Sequence, residues 1–585
     1  VIRTTPDGEQ QFTALAPLKN EAVEPCQWWE GAITVSMPVM RYRFVFETPD
    51  GLWTYNGSGL YPYTPTDEHD FRLLADYAAP RWVTRSVFYQ IFPDRFADGD
   101  PANNVQSHEW LLHGQPVQAR QWDQPPEQAN ASLEFYGGDL QGITRHLDYL
   151  EQLGVDAFYL NPIFCAPSAH RYDVTDYTAV DPHLGGNTAL AELRAALTER
   201  NMRLMLDIVP NHCGVEHPWF RAAQADPSSP YRDYFMFTAH PDQYVSWLDV
   251  RSLPKLDYRS AGLREYMFSG PESVFRHWLR PPYSIDGWRV DVANMLGQHG
   301  STQIGVEVAR EIRAAVKAER ADAYLLSEHF FDATALLQGD QYDANMNYRG
   351  FTTPLWDWLS EQRMGNSWLG SELRGGKPLS TEGLVQAWAA FRAPLPYAVV
   401  LQQFNLIDSH DTPRIRHRVG GNRQLQRLAA VIQFTYPGVP CIFYGDEIGL
   451  DGANANMARR TMPWDQAQWD HDLLALYRRL SHLRRQSTAL AVGGFQLLYT
   501  DADTVAYLRD VDQEQIVVVA YRGASERPAM PLFVAHGAIA DGARFVEILS
   551  DAQAIVADGY LPLPSMTQGA AIWRSTGLDD QQKAT

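Results

Sequence analysis

One pattern limits what this chain can become: from Val87 onward, short apolar runs alternate with stretches of helical spacing. Runs at 87–92, 157–161, 203–209, 287–292, 324–328, 344–348, 403–408 and 441–444 read as strands. Between them lie amphipathic stretches such as 303–317 and 188–200; in the latter, Ala189, Leu190, Leu193, Ala196 and Leu197 share one helical face. Parallel strands must be joined by crossovers, usually helices. Eight such β-then-α units over roughly 400 residues predict a closed barrel with insertions. The gap at 211–260 is long and turn-rich, and is expected to form an excursion over the barrel mouth.

The flanks read differently. Residues 1–85 hold no convincing helix and suggest strands at 32–36, 40–46 and 52–55, with a Pro49-Asp-Gly51 turn. From about Gly494 the helices stop, and 495–499, 505–509, 515–521, 544–549 and 570–573 read as strands. The expected fold class is α/β: a (β/α)₈ TIM barrel with an inserted loop domain, flanked by N-terminal and C-terminal β-sandwich domains. The boundaries fall at 1–85, 86–488 and 489–585; 585 residues exceed what one core organises. The first sandwich begins abruptly and the chain starts without Met, which reads as a missing N-terminal piece.

Charge narrows the partners. Lys and Arg number 49 and Asp and Glu 70, a net charge of −21. Nucleic acid and an anionic membrane surface are therefore excluded, and a neutral substrate fits better. No run of 18 apolar residues offers a spanning helix, and the first residues lack the regions of a signal peptide. Cys26, Cys165, Cys213 and Cys441 are too few and scattered for a disulfide framework or a CxxC metal site, so a reducing, cytoplasmic setting is expected. Gly370-Ser-Glu-Leu-Arg-Gly-Gly-Lys377 lacks the ending of a P-loop, and no HExxH occurs.

Barrels place chemistry at the C-terminal ends of their strands. The third strand runs out into Asp207, Asn211 and His212, the fourth into Arg289 and Asp291, the fifth into Glu328, and the seventh into His410 and Asp411. Each alone has a plain reading, since an Asp after a strand is by default a helix cap. Together they differ, because closure brings those ends around one mouth, where unpaired carboxylates repel. Several carboxylates with Arg and His, and no metal-ligand spacing, point to glycosidic-bond chemistry, which needs one carboxyl as acid and another as nucleophile or base.

Four stretches carry a resemblance: Asp207-Ile-Val-Pro-Asn-His212, Gly287-Trp-Arg-Val-Asp291, Ser327-Glu-His329 and Ser409-His-Asp411. In order and spacing they resemble the four signature regions of the α-amylase family of glycoside hydrolases, over Val87 to about Arg485. Ser252-Leu-Pro-Lys-Leu-Asp257 resembles the marker of its neopullulanase, cyclomaltodextrinase and maltogenic amylase branch. Ser327-Glu-His-Phe330 and Met346-Asn-Tyr-Arg-Gly-Phe-Thr352 look closest to maltodextrin glucosidase. The resemblance implies Asp291 as nucleophile, Glu328 as general acid and base, and Asp411 as the group holding sugar hydroxyls in the transition state. It implies Arg289 as the partner keeping Asp291 ionised, with Asp207 and Asn211 in support. Tyr172, His212, His329, His410 and Arg459 would contact substrate. The family retains anomeric configuration, so Asp291 and Glu328 are expected about 5–5.5 Å apart. An Arg beside Asp291 should lower its pKa, while Glu328, beside His329 and Phe330, should stay protonated.

No cofactor is expected for catalysis. A structural calcium is implied by the resemblance of Asp98, Asp100, Asn103 and Asn104, with Gly137 and Asp139, to the branch's calcium loop. The N-terminal domain resembles one that mediates dimerisation in this branch, so a homodimer is expected. Departures are Pro210 for an aromatic, Ser327 for a Gly, and Ala455 near a usual Asp; the last implies a weak outward subsite and release of glucose rather than maltose. The expected activity is hydrolysis of α-1,4-glucosidic bonds in short maltodextrins or cyclodextrins. A transglycosylase and a non-catalytic carbohydrate-binding protein remain the alternatives.

Overall fold

The computed structural model describes residues 1–18, 26–127, 130–360 and 377–576. The P-loop-like stretch at 370–377 lies almost wholly outside the described residues. Eight parallel strands form the centre: β1 (Phe88–Ile91), β2 (Ala157–Leu160), β3 (Arg203–Ile208), β4 (Gly287–Val290), β5 (Tyr324–Ser327), β6 (Ala344–Asn345), β7 (Phe404–Leu406) and β8 (Val439–Phe443). They pair in sequence order, and Cys441 of β8 returns to Phe88 of β1. A single bridge, Met346 to Phe404, joins β6 to β7 and completes the barrel.

Alternation along the strands divides the core in two. Phe88, Tyr159, Met205, Tyr324, Leu326, Phe404 and Cys441 fill the barrel interior. Leu204, Leu206, Ile208, Trp288 and Val290 pack outward against the helices. The helix expected at 188–200 spans Gly186–Glu199, and that expected at 303–317 spans Gly305–Glu319. Trp288 lies against Phe275, whose carbonyl accepts its indole N–H at 3.1 Å.

At the N-terminus a six-stranded antiparallel sheet is built around Val39–Thr48 and Gly51–Asn56. Residues 32–36 are not a strand: this Ile-Thr-Val run finds no ladder partner, and β propensity without a partner does not make a strand. At the C-terminus another six-stranded sheet faces the antiparallel pair Met530–Phe533 and Tyr560–Leu563. Leu508, Val517, Leu532, Phe545, Leu561 and Trp573 fill the layer between them. Among the described residues no helix is long and apolar enough to cross a membrane. All four cysteines are unpaired.

Candidate active site

The C-terminal ends of β3, β4 and β5 meet beneath a cavity of about 600 Å³. Its wall includes Tyr172, His212, Asp291, Glu328, Asp411 and Arg459. The excursion after β3 closes one side with Trp247, Val250, Ser252 and Leu253, and a hairpin contributes Leu112 and His113.

One guanidinium organises the floor. Arg289, fully buried, donates through Nη1 to Asp291 Oδ1 at 2.6 Å and to Asp207 Oδ1 and Oδ2 at 2.9 and 3.1 Å. Its Nη2 lies 3.1 Å from Glu328 Oε1. The period of a strand explains the first contact: Arg289 and Asp291 stand two residues apart and project to one side. Register explains the second, because Asp207 of β3 lies level with Arg289.

This sharing overturns an expectation. Asp291 was expected to sit low beside its arginine. Burial instead raises its carboxyl well above the usual carboxylate range, and the Glu328 carboxylate adds to that; Arg289 opposes both. Asp207 is pushed up to about 6, again by burial first. One guanidinium divided among three buried carboxyl groups cannot neutralise them all, so the cluster keeps a proton.

The strand β4 ends two residues earlier than the sequence pattern suggests. Alternation along a strand at 287–292 would turn Val292 toward the helices with Trp288 and Val290; instead it adopts φ +48°, lines the cavity and donates its backbone N–H to Glu328 Oε2 at 2.8 Å. A left-handed conformation is costly for a β-branched residue and occurs where the surroundings enforce it. Here the cost turns a main-chain donor toward the acid.

Across the cavity, Arg459 donates through Nη2 to Asp411 Oδ1 at 3.0 Å and through Nε to the His410 carbonyl at 2.7 Å. Burial pushes Asp411 up to about 6 against the pull of Arg459. Tyr172 Oη lies 3.1 Å from Asp207 Oδ2 and 2.6 Å from His410 Nε2, its ring nearly parallel to the imidazole.

The histidines separate. His212 lines the cavity, stacks on Trp247 and leaves Nε2 without a protein partner; burial first, then Lys255, lowers it to about 3, so it is neutral. Asn211 holds the other ring nitrogen at 3.1 Å and itself accepts from Lys255. His410, expected to bind hydroxyls, is fully buried behind Tyr172, with Nδ1 against Gln90 and Nε2 against Tyr172, and does not line the cavity. His329 is also absent from the wall; its Nδ1 is buried without a partner.

Other members of the site carry weaker sequence signals. Tyr159 donates to Asp207 Oδ2 at 2.8 Å and Asn161 to Tyr172 Oη at 3.2 Å. Position at a strand end would have found Asn161. Nothing local marks Tyr159, whose hydroxyl reaches across from β2.

The loop expected to bind calcium is assembled. Asn104 Nδ2 donates to Asp98 Oδ2 at 2.8 Å, and Asp139 Oδ2 accepts from the Asp100 N–H and Asn103 Nδ2 at 2.8 and 3.1 Å. Gly137 has φ +83°, and a Cβ there would meet the Asn104 side chain at 2.5 Å. Asn103 Oδ1 and Asn104 Oδ1 are buried without a donor. Two orphaned carbonyl oxygens beside carboxylates fit a hard cation. Among the described residues no group of three His, Cys, Asp or Glu side chains is arranged for a metal, so the fit rests on these amide oxygens. Asp139 also caps the helix Leu140–Arg145.

Residues 90–477 match the family model described as "Alpha amylase, catalytic domain". The chain belongs to the α-amylase family. A cyclomaltodextrinase of Geobacillus thermopakistaniensis is 34% identical over 544 residues, covering 90% of this chain and 85% of its own. Neopullulanase 2 of Thermoactinomyces vulgaris is 31% identical over 586 residues, covering 97% and 91%. Among solved structures, a cyclomaltodextrinase superposes with a TM-score of 0.77 at 28% identity, covering 98% and 94%. This α-amylase family member is a glycoside hydrolase.

Proposed function

We propose that the protein hydrolyses α-1,4-glucosidic bonds in short maltodextrins or cyclodextrins with retention of configuration, through a covalent glycosyl-enzyme on Asp291. The observation that carries this reading is the shared guanidinium: Arg289 holds Asp291, Glu328 and Asp207 together at the floor of a sugar-sized cavity. The names of the relatives, cyclomaltodextrinase and neopullulanase, support the substrate class.

In this scheme substrate binding settles the retained proton on Glu328, because positive charge growing at the anomeric carbon favours an ionised Asp291. Glu328 gives that proton to the glycosidic oxygen as the C1–O bond breaks. Asp291 forms a bond to C1. Water, losing a proton to Glu328, then attacks C1 and restores both carboxyl groups. Val292 N–H orients Glu328 throughout. Asp411, kept against Arg459, and the free Nε2 of His212 hold hydroxyls of the sugar being cleaved. Tyr172 lies under the ring.

The outer wall supports glucose release: Asn454, Ala455 and Asn456 line the cavity where the resemblance implies a usual Asp that binds the next sugar. Asp98, Asp100, Asn103 and Asn104, with Gly137 and Asp139, would hold a structural calcium, which supplies rigidity to the loop.

The test uses end-labelled maltotetraose, β-cyclodextrin and pullulan, with products resolved over time and Asp291→Asn as control. Glucose from the labelled reducing end supports the glucosidase reading. Maltose or panose as main product moves the assignment to the sister activities, and longer oligosaccharides moves it to transglycosylation. No bond cleavage by the parent protein rejects it.

A further inference from the structure

A buried cluster next to the cavity takes no part in the scheme above. Asp408 follows β7 and Asp446 follows β8; both are 1% exposed. Asp408 Oδ2 accepts the Ile415 N–H at 2.6 Å, and Asp446 Oδ1 accepts from Arg414 Nη1 at 2.7 Å. The other two oxygens, Asp408 Oδ1 and Asp446 Oδ2, are buried and meet no N–H or O–H donor. The two carboxyl groups are within hydrogen-bonding reach of each other. Two carboxylate oxygens cannot bond without a proton between them.

Charge balance agrees. Two ionised carboxylates and one guanidinium leave a net −1 in a fully buried site; one proton makes it neutral. The neighbours bring no second cation. Glu447 accepts from Tyr89 and Tyr149, while the Cys441 thiol and the Tyr444 and Tyr477 phenols are neutral. Burial raises both carboxyl groups, and Asp408 pushes Asp446 further.

We propose that Asp408 and Asp446 share one proton and that this carboxyl pair, clamped by Arg414, positions Asp411 against Arg459. Asp408 stands three residues before Asp411. Arg414 donates its backbone N–H to the Gly452 carbonyl at 2.9 Å and its Nε to the Ala458 carbonyl at 3.0 Å, one residue before Arg459. Both sides of the Asp411–Arg459 contact are thereby tied to the pair. These are positioning residues, and their role rests on the reading of Asp411 as a substrate-holding group. At alkaline pH the shared proton is lost, two like charges meet, and the loop loosens.

The experiment compares pH–rate profiles of full-length wild type, Asp408→Ala, Asp408→Asn and Asp446→Asn on maltotriose. Asp408→Ala is expected to lower kcat about tenfold with KM within about threefold, and Asp408→Asn to recover most of that loss. The alkaline limb of kcat should extend in both Asn variants, because an amide N–H is a permanent donor. Infrared difference spectra of wild type against each Asn variant at pH 7 should show a carboxylic acid C=O band lost from both variants, with the band of the active-site cluster cancelling. An unmoved alkaline limb in both Asn variants, or no such band, overturns the proposal. If Asp411→Asn retains wild-type kcat, the reading of Asp411 fails; if Asp411→Asn is inactive while Asp408→Ala matches wild type, only the clamp fails.

Discussion

Strand β4 connects two charge clusters built on opposite plans. Just before it, buried Asp286 accepts from Arg194, Arg203 and Arg320 at 2.7, 2.8 and 2.6 Å, and from the Leu204 N–H. At its other end, Arg289 serves three carboxyl groups. The first site has more cations than anions and satisfies its carboxylate completely. The second has more anions than cations and leaves a proton in play. Only four residues separate Asp286 from Asp291, so local sequence composition does not distinguish the two. What distinguishes them is the partner supply: Asp286 is ringed by three guanidinium groups, whereas Asp291 and Glu328 share the charge of one at the wall of a cavity. Surplus donors make a cornerstone; surplus acceptors make a reactive site.

The sharpest way to break this contrast is to remove one carboxylate from each end. Asp291→Asn should cut kcat about 10⁴-fold while leaving the thermal midpoint intact or higher, measured by maltotriose hydrolysis and calorimetry. Asp286→Asn should do the reverse. It leaves the buried Arg194 without its counter-charge, and the partly exposed Arg203 and Arg320 with less of theirs, and should cost about 3 kcal/mol, with activity per folded molecule retained. Equal losses of activity in the two variants would erase the distinction.

Asp411→Asn sharpens it further. A carboxyl raised from 3.8 to about 6 binds a proton more readily in the folded than in the unfolded chain. Its contribution to stability is therefore fully present below the unfolded value and is lost as pH rises through about 6. At neutral pH the charged form is therefore destabilised by its burial. The Asn variant should lose activity about 10²-fold, yet unfold at a higher temperature than wild type at pH 7, with the gain fading below about pH 4. Unfolding curves at pH 4 and pH 7 check both signs.

The smallest expected effect concerns the calcium loop. Chelation should lower the thermal midpoint by about 2–5 °C and leave kcat of the folded enzyme unchanged, with added calcium reversing the shift. No shift would leave Asp139 as a helix cap and nothing more.

Much of this architecture is legible before any coordinates. The period of the apolar runs marks the eight strands, because a closed parallel barrel buries each strand on both faces. The polar residues that end β3, β4, β5 and β7 mark the mouth, because closure is the only way to bring residues 207, 291, 328 and 411 together. The departures have physical causes. Sequence proximity pairs Arg289 with Asp291 but cannot reveal that Nη2 reaches Glu328 on the next strand. Alternation sends Val292 outward, but the chain turns left-handed there to deliver an N–H. His410 carries the residue type of a sugar ligand, yet Gln90 and Tyr172, distant in sequence, and the neighbouring Asp411 occupy its ring nitrogens. Leu112 and His113 enter the cavity from a hairpin whose sequence has no catalytic mark at all.

The seam between β6 and β7 has a consequence for synthesis. β6 spans only Ala344–Asn345 and reaches β7 through the single Met346–Phe404 bridge. On a ribosome adding about 5–20 residues per second, Asp411 emerges roughly 4–17 s after Glu328. During that interval Asp207, Arg289, Asp291 and Glu328 are all available, but the open edge of β6 is bare backbone. The step that seals this edge also delivers Asp411, but it passes the open edge on to β7 until β8 closes the barrel, and Arg459, which holds Asp411, arrives later still.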